Sequence, residues 1–190
     1  MAVYQFRNFI DQDHCNRLIQ HSIGHFEKAG ILGKPIEGYR IADTMSIPKD
    51  NPLVSGIVEQ VAEMFEVPVE NEEPPQLICY HVGGEYKVHH DYFHMGQDYT
   101  EEMMKMGGQR THTFLIYLND NFEGGETEFP KLDIKVTPEA GKALIWDNLR
   151  EDGKPDKKSL HAGLPVISGE KYILVIWLRE RKFEKEPALS

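Results

Sequence analysis

The sequence has little cysteine and no long apolar run, which argues against a disulfide-rich protein and against a membrane-spanning one. Among 190 residues there are only two cysteines, Cys15 and Cys79, so no disulfide framework is expected. The longest apolar run, 172–178, has the length of a strand and is too short to cross a bilayer. Residues 1–7 do not form a basic segment followed by an apolar signal core. We therefore predict a cytoplasmic protein without a membrane span.

Positive charge is also scarce. The chain has 21 Lys and Arg against 31 Asp and Glu, a formal net charge of -10, and no basic cluster. Such a surface repels a phosphate backbone, so nucleic acid is not expected as a partner. An acidic surface can favour a basic peptide or protein substrate, although most of these charges serve solubility. The length fits one domain, 1–190, with a core of its own.

Helical signals occupy the first 75 residues, which we expect to form a helical support. Asp11 is a suitable N-cap for a first helix that is predicted to end at Gly30. Its apolar positions follow helical spacing: Cys15, Leu18, Ile19, Ile23 and Phe26. Residues 33–48 carry Gly and Pro and show no clear period. Asn51 and Pro52 then open a second predicted helix.

Residues 76–180 are expected to form the strand-rich core of the domain, because short apolar or alternating runs are separated there by Gly, Asn, Asp and Pro. The predicted strands are 76–82, 86–91, 111–118, 126–129, 133–137, 142–146, 159–167 and 171–179. Many short strands at close spacing indicate a sandwich or barrel. The predicted fold is therefore mainly β with N-terminal helices: a double-stranded β-helix (jelly roll) packed against two or more α-helices.

Two insertions interrupt the strands. Residues 92–109 contain four of the methionines, and residues 148–158 are polar and rich in turn formers. Loops beside a site serve as lids or substrate-binding edges, and Met is an adaptable contact residue. For residues 92–109, an ordinary surface helix with Met in the core is an equally good interpretation.

His89 and Asp91 are the first candidates for a metal site. Residues two apart on a strand point to the same side, so an imidazole and a carboxylate can reach one point. They would supply two thirds of the two-histidine, one-carboxylate triad that holds non-haem Fe(II). With nine histidines in the chain, this pair alone is weak support.

Two residues near the end of the chain extend this pattern. If the strands that carry His161 and Lys171 are neighbours, both side chains can face the interior of the sandwich. A buried ammonium needs an anionic partner, and the carboxylate of a ligand would supply one. The other histidines are expected to have ordinary structural roles: His14, His21, His25, His81, His90, His94 and His112.

The motifs around these residues resemble those of prolyl 4-hydroxylases, a branch of the Fe(II)/2-oxoglutarate-dependent dioxygenase superfamily. The resemblance covers residues 76 to 177, over half the chain, and lies in the order of its parts. They are Tyr80 with Gly83-Gly84-Glu85-Tyr86 before His89-x-Asp91, Arg110-x-x-Thr113 with Tyr117-Leu118-Asn119, Gly124-Gly125-Glu126-Thr127-x-Phe129, Pro138-x-x-Gly141-x-Ala143, Asp152-Gly153, Ser159-Leu160-His161-Ala162-Gly163-x-Pro165-Val166, and Gly169-x-Lys171 leading to Trp177.

This resemblance implies a role for each matched residue. It implies that His89, Asp91 and His161 bind iron. Lys171 matches the basic residue that pairs with the distal carboxylate of 2-oxoglutarate. Three residues are implied near this cosubstrate: Tyr80, Tyr117 and Thr113. Of these, Tyr117 is the better candidate for a hydrogen bond to its distal carboxylate. Three more residues are implied at the substrate side or the site wall: Tyr86, Arg110 and Trp177. For Tyr86 and Trp177, packing in the core is the preferred interpretation.

The implied reaction hydroxylates prolyl residues of a peptide or protein at the 4-position and converts 2-oxoglutarate and O2 to succinate and CO2. Ascorbate is implied as an auxiliary reductant. A carboxylate at position 91 favours hydroxylation, because related halogenases have a small residue at that ligand position.

Three alternatives stay open at the level of sequence. The same chemistry could act on a free amino acid or another small molecule, since the two insertions set substrate choice. Two histidines and a carboxylate also suit a catalytic zinc hydrolase, but that reading leaves Lys171 without a use. A non-catalytic jelly-roll binding module is disfavoured because the three ligand candidates and Lys171 are all present. No residue pattern identifies an oligomer interface.

Overall fold

The larger sheet of the protein combines strands from both ends of the chain. The computed structural model describes residues 1–30 and 38–184. Within these residues seven strands are ordered β1-β10-β6-β13-β4-β3-β2. Their bounds in chain order are β1 Val3–Phe6, β2 Glu27–Lys28, β3 Asp43–Ser46, β4 Gln76–Tyr80, β6 Arg110–Tyr117, β10 Ala143–Asp147 and β13 Lys171–Arg179. All neighbouring pairs are antiparallel, with β6, β13 and β4 at the centre.

A smaller sheet faces the larger one. It has the strand order β5-β11-β8-β9 among the described residues, and an additional pair, β12-β7, lies beside it. The bounds are β5 Tyr86–His89, β7 Glu123–Gly124, β8 Thr127–Phe129, β9 Ile134–Val136, β11 His161–Gly163 and β12 Val166–Ser168. Two antiparallel sheets of this kind, with N-terminal helices, confirm the predicted jelly roll.

The first two helices cover the outer face of the larger sheet. Helix α1 spans Gln12–Ser22, α2 spans Ser55–Met64, and the short α3 spans Thr100–Lys105. Alternation along the strands separates two apolar cores. One joins helix residues to the outer face of the sheet: Leu18, Ile57, Val61, Leu77, Phe114 and Ile176. The other fills the space between the sheets: Ile78, Leu115, Phe129, Val136 and Val175. Among the described residues no helix has the length and apolarity to span a membrane.

Several predicted boundaries were wrong. The first helix begins after the Asp11 cap as predicted but ends at Ser22, because Ile23 is extended and Gly24 has a positive φ of 83°. Glu27–Lys28 therefore forms β2. The second helix begins at Ser55 rather than at Asn51-Pro52. Residues 159–167, predicted as one strand, form β11 and β12, separated at Pro165, which lacks a backbone donor.

The N-terminal third is also more than a helical support. Strands β1, β2 and β3 all join the larger sheet. Of the segment 33–48, which shows no period, residues 33–37 lie outside the described residues, and Asp43–Ser46 forms β3 against β4. The sequence of β3 lacks an apolar alternation, so its strand conformation depends on pairing with its neighbour.

Candidate active site

Two histidines and one aspartate converge at the end of the smaller sheet. His89 is the last residue of β5 and pairs directly with His161, the first residue of β11. Asp91 lies two residues beyond the end of β5. Its carboxylate oxygens are 3.5 Å from His89 Nε2 and 3.7 Å from His161 Nε2. One ligand atom from each residue lies within 4.8 Å of the other two, so the three could hold one metal ion.

Backbone carbonyls fix the orientation of both imidazole rings. His89 Nδ1 donates to the carbonyl oxygen of Lys87 at 2.7 Å, and His161 Nδ1 donates to that of Ser159 at 2.8 Å. A carbonyl only accepts, so the proton resides on Nδ1 and the lone pair of Nε2 is directed toward the cluster. Burial, and then the neighbouring His89, lower the pKa of His161 to about 4, so this ring is neutral at neutral pH. These features suit metal ligation.

The Asp91 carboxylate is held by a chain of side-chain hydrogen bonds. Thr113 Oγ1 donates to Asp91 Oδ2 at 2.7 Å, and Asn148 Nδ2 donates to Thr113 Oγ1 at 2.9 Å. Burial alone raises a carboxyl pKa, but His161 and His89 outweigh it and hold the pKa of Asp91 well below its usual range. Thr113 thus contacts the carboxylate of the cluster, and it also lines the cavity that extends from the cluster to Lys171.

A deep cavity extends from this cluster to Lys171. Its lining includes His89, Asp91 and His161 at one end and Lys171 at the other. Lys171 starts β13 in the larger sheet, whereas His161 lies in the smaller one, so the two side chains face each other across the sandwich. The prediction that their strands are neighbours was wrong. Both side chains are nevertheless buried in the interior of the sandwich, as predicted.

Lys171 has no acidic partner among the described residues. Its Nζ donates to the carbonyl oxygen of Gly125 at 2.6 Å, and only 2% of the residue is exposed. Burial lowers the pKa of Lys171 to about 7, opposed only in part by the charge of Glu126. Gly125 has a positive φ of 68°, and a Cβ there would lie 2.9 Å from the Phe122 ring and 3.0 Å from Lys171 Cδ, so glycine favours this conformation and leaves room for the lysine stem. A ligand carboxylate would complete this site.

Two tyrosines flank the lysine in different ways. The rings of Tyr80 and Tyr117 lie 5.1 Å and 5.6 Å from Lys171 Nζ. Tyr80 lines the cavity. Tyr117 is fully buried, and its hydroxyl donates to Thr127 Oγ1 at 2.6 Å. Because Thr127 lines the cavity and accepts this bond, its own O–H can be donated to a ligand. The sequence pattern gave no role to Thr127.

An open groove leads outward from the cluster. Its walls include Tyr86, Arg110 and Trp177, the three residues implied at the substrate side. The ring of Tyr86 stacks on His89 with centroids 3.5 Å apart. Arg110 makes a bidentate ion pair with Glu73, at 2.7 and 2.8 Å, and its guanidinium lies 3.9 Å from the centre of the Trp177 ring. Both aromatic rings are therefore part of the groove wall, in addition to their packing.

The groove also has walls that the sequence did not reveal. Arg40 lies in the unperiodic segment before β3, and its guanidinium covers the ring of Tyr86 at 4.9 Å. The insertion 92–109 contributes several more side chains: Tyr92, Phe93, His94, Gln97, Asp98 and Tyr99. Gln109 clamps its two ends together through bonds of 2.6 and 2.9 Å to the backbone of Phe93. The insertion also contains the short helix α3, but the methionines of the insertion neither belong to an apolar core of the described residues nor line the groove, so the Met-based part of both interpretations was wrong: Met95, Met103, Met104 and Met106.

Comparison with known proteins places these features in a family. The family model of the 2OG-Fe(II) oxygenase superfamily matches residues 75–179. A protein of Acanthamoeba polyphaga mimivirus with a provisional prolyl 4-hydroxylase name is 38% identical over 95% of this chain and 75% of its own length. Prolyl 4-hydroxylase 2 of Arabidopsis thaliana is 30% identical over 96% of this chain and 68% of its own. The chain belongs to the prolyl 4-hydroxylase family of 2OG-Fe(II) oxygenases.

A solved structure supports the same placement of this oxygenase. The viral collagen prolyl hydroxylase from Paramecium Bursaria Chlorella virus-1, in its 2OG complex, is 27% identical and has a TM-score of 0.76. The match covers 94% of this chain and 96% of the viral one. Family membership gives the protein an oxygenase activity that uses Fe(II) and 2-oxoglutarate. The donor set of two imidazoles and one carboxylate suits Fe(II), and the buried Lys171, which has no acidic partner among the described residues, suits a dicarboxylate.

Proposed function

We propose that this oxygenase is a peptidyl-proline 4-hydroxylase, which inserts oxygen at the 4-position of prolyl residues and converts 2-oxoglutarate to succinate and CO2. One observation carries the proposal. The histidine-aspartate cluster lies where the deep cavity that ends at Lys171 meets the aromatic groove, and five residues line both spaces: Arg40, Tyr86, His89, Asp91 and Trp177. A cosubstrate and a long substrate can therefore approach the same point from two sides.

His89, Asp91 and His161 are the proposed iron ligands. Bound there, Fe(II) would react with 2-oxoglutarate and O2 to supply the oxidising chemistry, which the protein itself cannot provide. The chain contributes orientation: the carbonyls of Lys87 and Ser159 fix the imidazoles, and the Thr113 hydroxyl fixes the carboxylate. We propose this supporting role for Thr113 in place of a direct contact with the cosubstrate.

The deep cavity is the proposed binding site of 2-oxoglutarate. Lys171 would pair with the distal carboxylate, and the Thr127 hydroxyl, oriented by Tyr117, would donate a further hydrogen bond to it. The ring of Tyr80 forms part of the cavity wall. Apolar side chains from the larger sheet complete the lining and exclude water from the reacting atoms: Ile78, Leu115, Ile173 and Val175.

The groove is the proposed binding site of a proline-containing peptide or protein segment. Proline-rich segments bind in aromatic-lined grooves because their extended helix is preformed and loses little entropy. Tyr86 and Trp177 are the proposed walls at the reacting residue. Glu73 holds Arg110 in place, with its guanidinium over the rings of Trp177 and Phe93. The net charge of -10 is compatible with a basic peptide.

We further propose that ascorbate serves as auxiliary reductant and that the protein works in the cytoplasm. Support for ascorbate comes from the family resemblance in the residues quoted above. Cys15 and Cys79 are both free and buried, which fits a reducing compartment.

The test is release of succinate by the Fe(II)-loaded protein in the presence of proline-rich peptides. We expect peptide to raise the rate clearly above the substrate-free rate, and mass spectrometry of the product to show one added oxygen on proline. Peptides with alanine in place of each proline are the matched control and should not stimulate. Stimulation by free proline or another small molecule without any by peptides would contradict the peptide assignment, and zinc-dependent hydrolysis without iron-dependent turnover would contradict the oxygenase assignment.

A further inference from the structure

A second group of metal-binding side chains lies away from the active site. Cys79 is on β4, His81 follows it by two residues, and Glu170 directly precedes β13. One ligand atom from each lies within 4.8 Å of the other two. Cys79 and its cross-strand partner Tyr172 belong to the helix-covered face of the larger sheet, whereas the next positions along the strands face the cavity. The sheet therefore separates this group from the iron triad.

The His81 ring is held between two carboxylates. Its Nδ1 is 2.7 Å from Glu170 Oε1, and its Nε2 is 2.9 Å from Asp43 Oδ2. Asp43 is the cross-strand partner of Cys79 on β3. Both contacts are hydrogen bonds only if the ring carries two protons, because a carboxylate only accepts. Asp43 also pairs with Lys28 at 2.7 Å, so Glu170 is the carboxylate whose charge is left to balance, and a divalent cation can replace the ring proton on its side.

The buried thiol gives the group its chemical preference. Only 1% of Cys79 is exposed, and its Sγ lies 4.0 Å from His81 Nε2. Burial raises the pKa of the Cys79 thiol to about 11, so without a metal it is neutral, whereas a coordinating thiol is deprotonated outright. Thiolate, imidazole and carboxylate together select zinc-class ions over Mg²⁺ and Ca²⁺, which prefer oxygen ligands.

We propose that Cys79, His81 and Glu170 form a second metal site, which binds a zinc-class divalent ion, and that Asp43 supports it. The His81 nitrogen that does not bind the ion, Nε2, would keep its hydrogen bond to Asp43, an arrangement common around zinc-bound histidines. An ion at this place links β4 to the start of β13, directly behind Tyr80 and Lys171. The site needs neither 2-oxoglutarate nor a substrate, so it stands apart from the proposed function.

Cobalt titration of the metal-free protein tests the proposal. Co(II) replaces zinc, and a thiolate ligand gives it a strong near-ultraviolet charge-transfer band that a site with only nitrogen and oxygen ligands lacks. We expect two equivalents of Co(II) per chain in the unmodified protein, one of them accompanied by the band. Asp91→Ala should lose one equivalent and keep the band. His81→Asn should keep one equivalent and lose the band, and so should Cys79→Ser.

Cys15→Ser is the matched control, because Cys15 is the other buried cysteine and packs from α1 into the core against the larger sheet. It should keep both equivalents and the band. His81 is half exposed, so His81→Asn is expected to fold even where Cys79→Ser does not. Binding of a single equivalent without a thiolate band in the unmodified protein would overturn the proposal, and so would a band that persists in His81→Asn.

Discussion

Two buried carboxylates in this protein have opposite surroundings. Asp91 accepts a hydrogen bond from Thr113 and lies beside two histidines, so its pKa stays well below the usual range despite burial. Glu72, which directly precedes the Glu73 partner of Arg110, is 0% exposed, and neither of its carboxylate oxygens has a hydrogen-bond partner among the described residues. Burial raises the pKa of Glu72 to about 8, although the charge of Lys49 opposes this.

The difference shows that donors, rather than depth, decide the charge of a buried acid. Lys49 is close to Glu72, but its Nζ donates to the backbone oxygens of Val69 and Glu72 and leaves the carboxyl group without a donor. Asp91 is therefore ready to bind a cation at neutral pH, whereas Glu72 carries a proton there. The surroundings of Asp91 suit a metal site, whereas those of Glu72 make the stability of the protein depend on pH.

Removal of the charged carboxylate, Asp91, is expected to have the largest effect on turnover. Asp91→Ala deletes a proposed metal ligand, and since loss of even a supporting contact typically lowers metal affinity or activity 10- to 100-fold, we expect turnover to fall by more than about 100-fold. Succinate release and metal content after anaerobic loading measure it. Glu72→Gln is the matched control and should keep turnover within about twofold. Comparable turnover in the two variants would remove Asp91 from the site.

Lys171 extends the comparison to a buried cation, since it also lacks a charged partner in the described structure. Lys171→Met keeps much of the side-chain volume but removes the charge. We expect the KM for 2-oxoglutarate to rise by about 30-fold or more, because loss of one partner of a buried ion pair costs about 2–5 kcal/mol. Initial rates at varied 2-oxoglutarate and saturating peptide measure it.

Lys142→Met is the control for that change. Lys142 is equally buried but already forms an ion pair with Glu139, so its loss should leave the KM for 2-oxoglutarate unchanged. An unchanged KM in Lys171→Met would exclude Lys171 as the cosubstrate anchor.

The donor to Asp91 can be removed while the carboxylate stays. Thr113→Val deletes the hydroxyl and preserves the shape, so we expect iron affinity to fall by roughly 10-fold, as for other supporting contacts of metal ligands. Fe(II) or Co(II) titration monitored without turnover measures it. Thr113→Ser restores the donor and should restore affinity, a rescue that a packing role for the methyl group would not give.

Local spacing was enough to predict the near half of the site. The strand predicted over 86–91 ends at His89, so Asp91 lies two residues beyond β5, yet the spacing of two still brings both side chains to one point, and His161 reaches them through direct cross-strand pairing with His89. His161 and Lys171 were connected to this pair by the family motifs and by the premise that their strands are neighbours, but no periodicity shows which strands lie side by side. The premise of neighbouring strands failed for that reason.

Other features depend on three-dimensional packing that no short pattern encodes. Whether Tyr117 or Thr127 presents its hydroxyl to the cavity follows from the pairing of strands in two different sheets. Arg40 reaches the groove from a segment without any period, and β3 exists because β4 offers it an edge. The burial of Glu72 likewise follows from its bridge to Leu178 rather than from the polar residues around it.

The pH dependence of stability tests the second carboxylate. Folding raises the pKa of Glu72 from 4.5 to about 8. Its contribution to the free energy of unfolding is therefore fully present below pH 4.5 and is lost as the pH rises from there through 8. With about 1.4 kcal/mol per pKa unit, the loss between pH 5 and pH 9 is of the order of a few kcal/mol. Urea unfolding of Glu72→Gln, which cannot ionise, should show a much flatter pH profile over this range than the unmodified protein. The difference between the two profiles isolates Glu72 from the other titrating groups, and parallel profiles would mean that its carboxyl group ionises freely in the folded state.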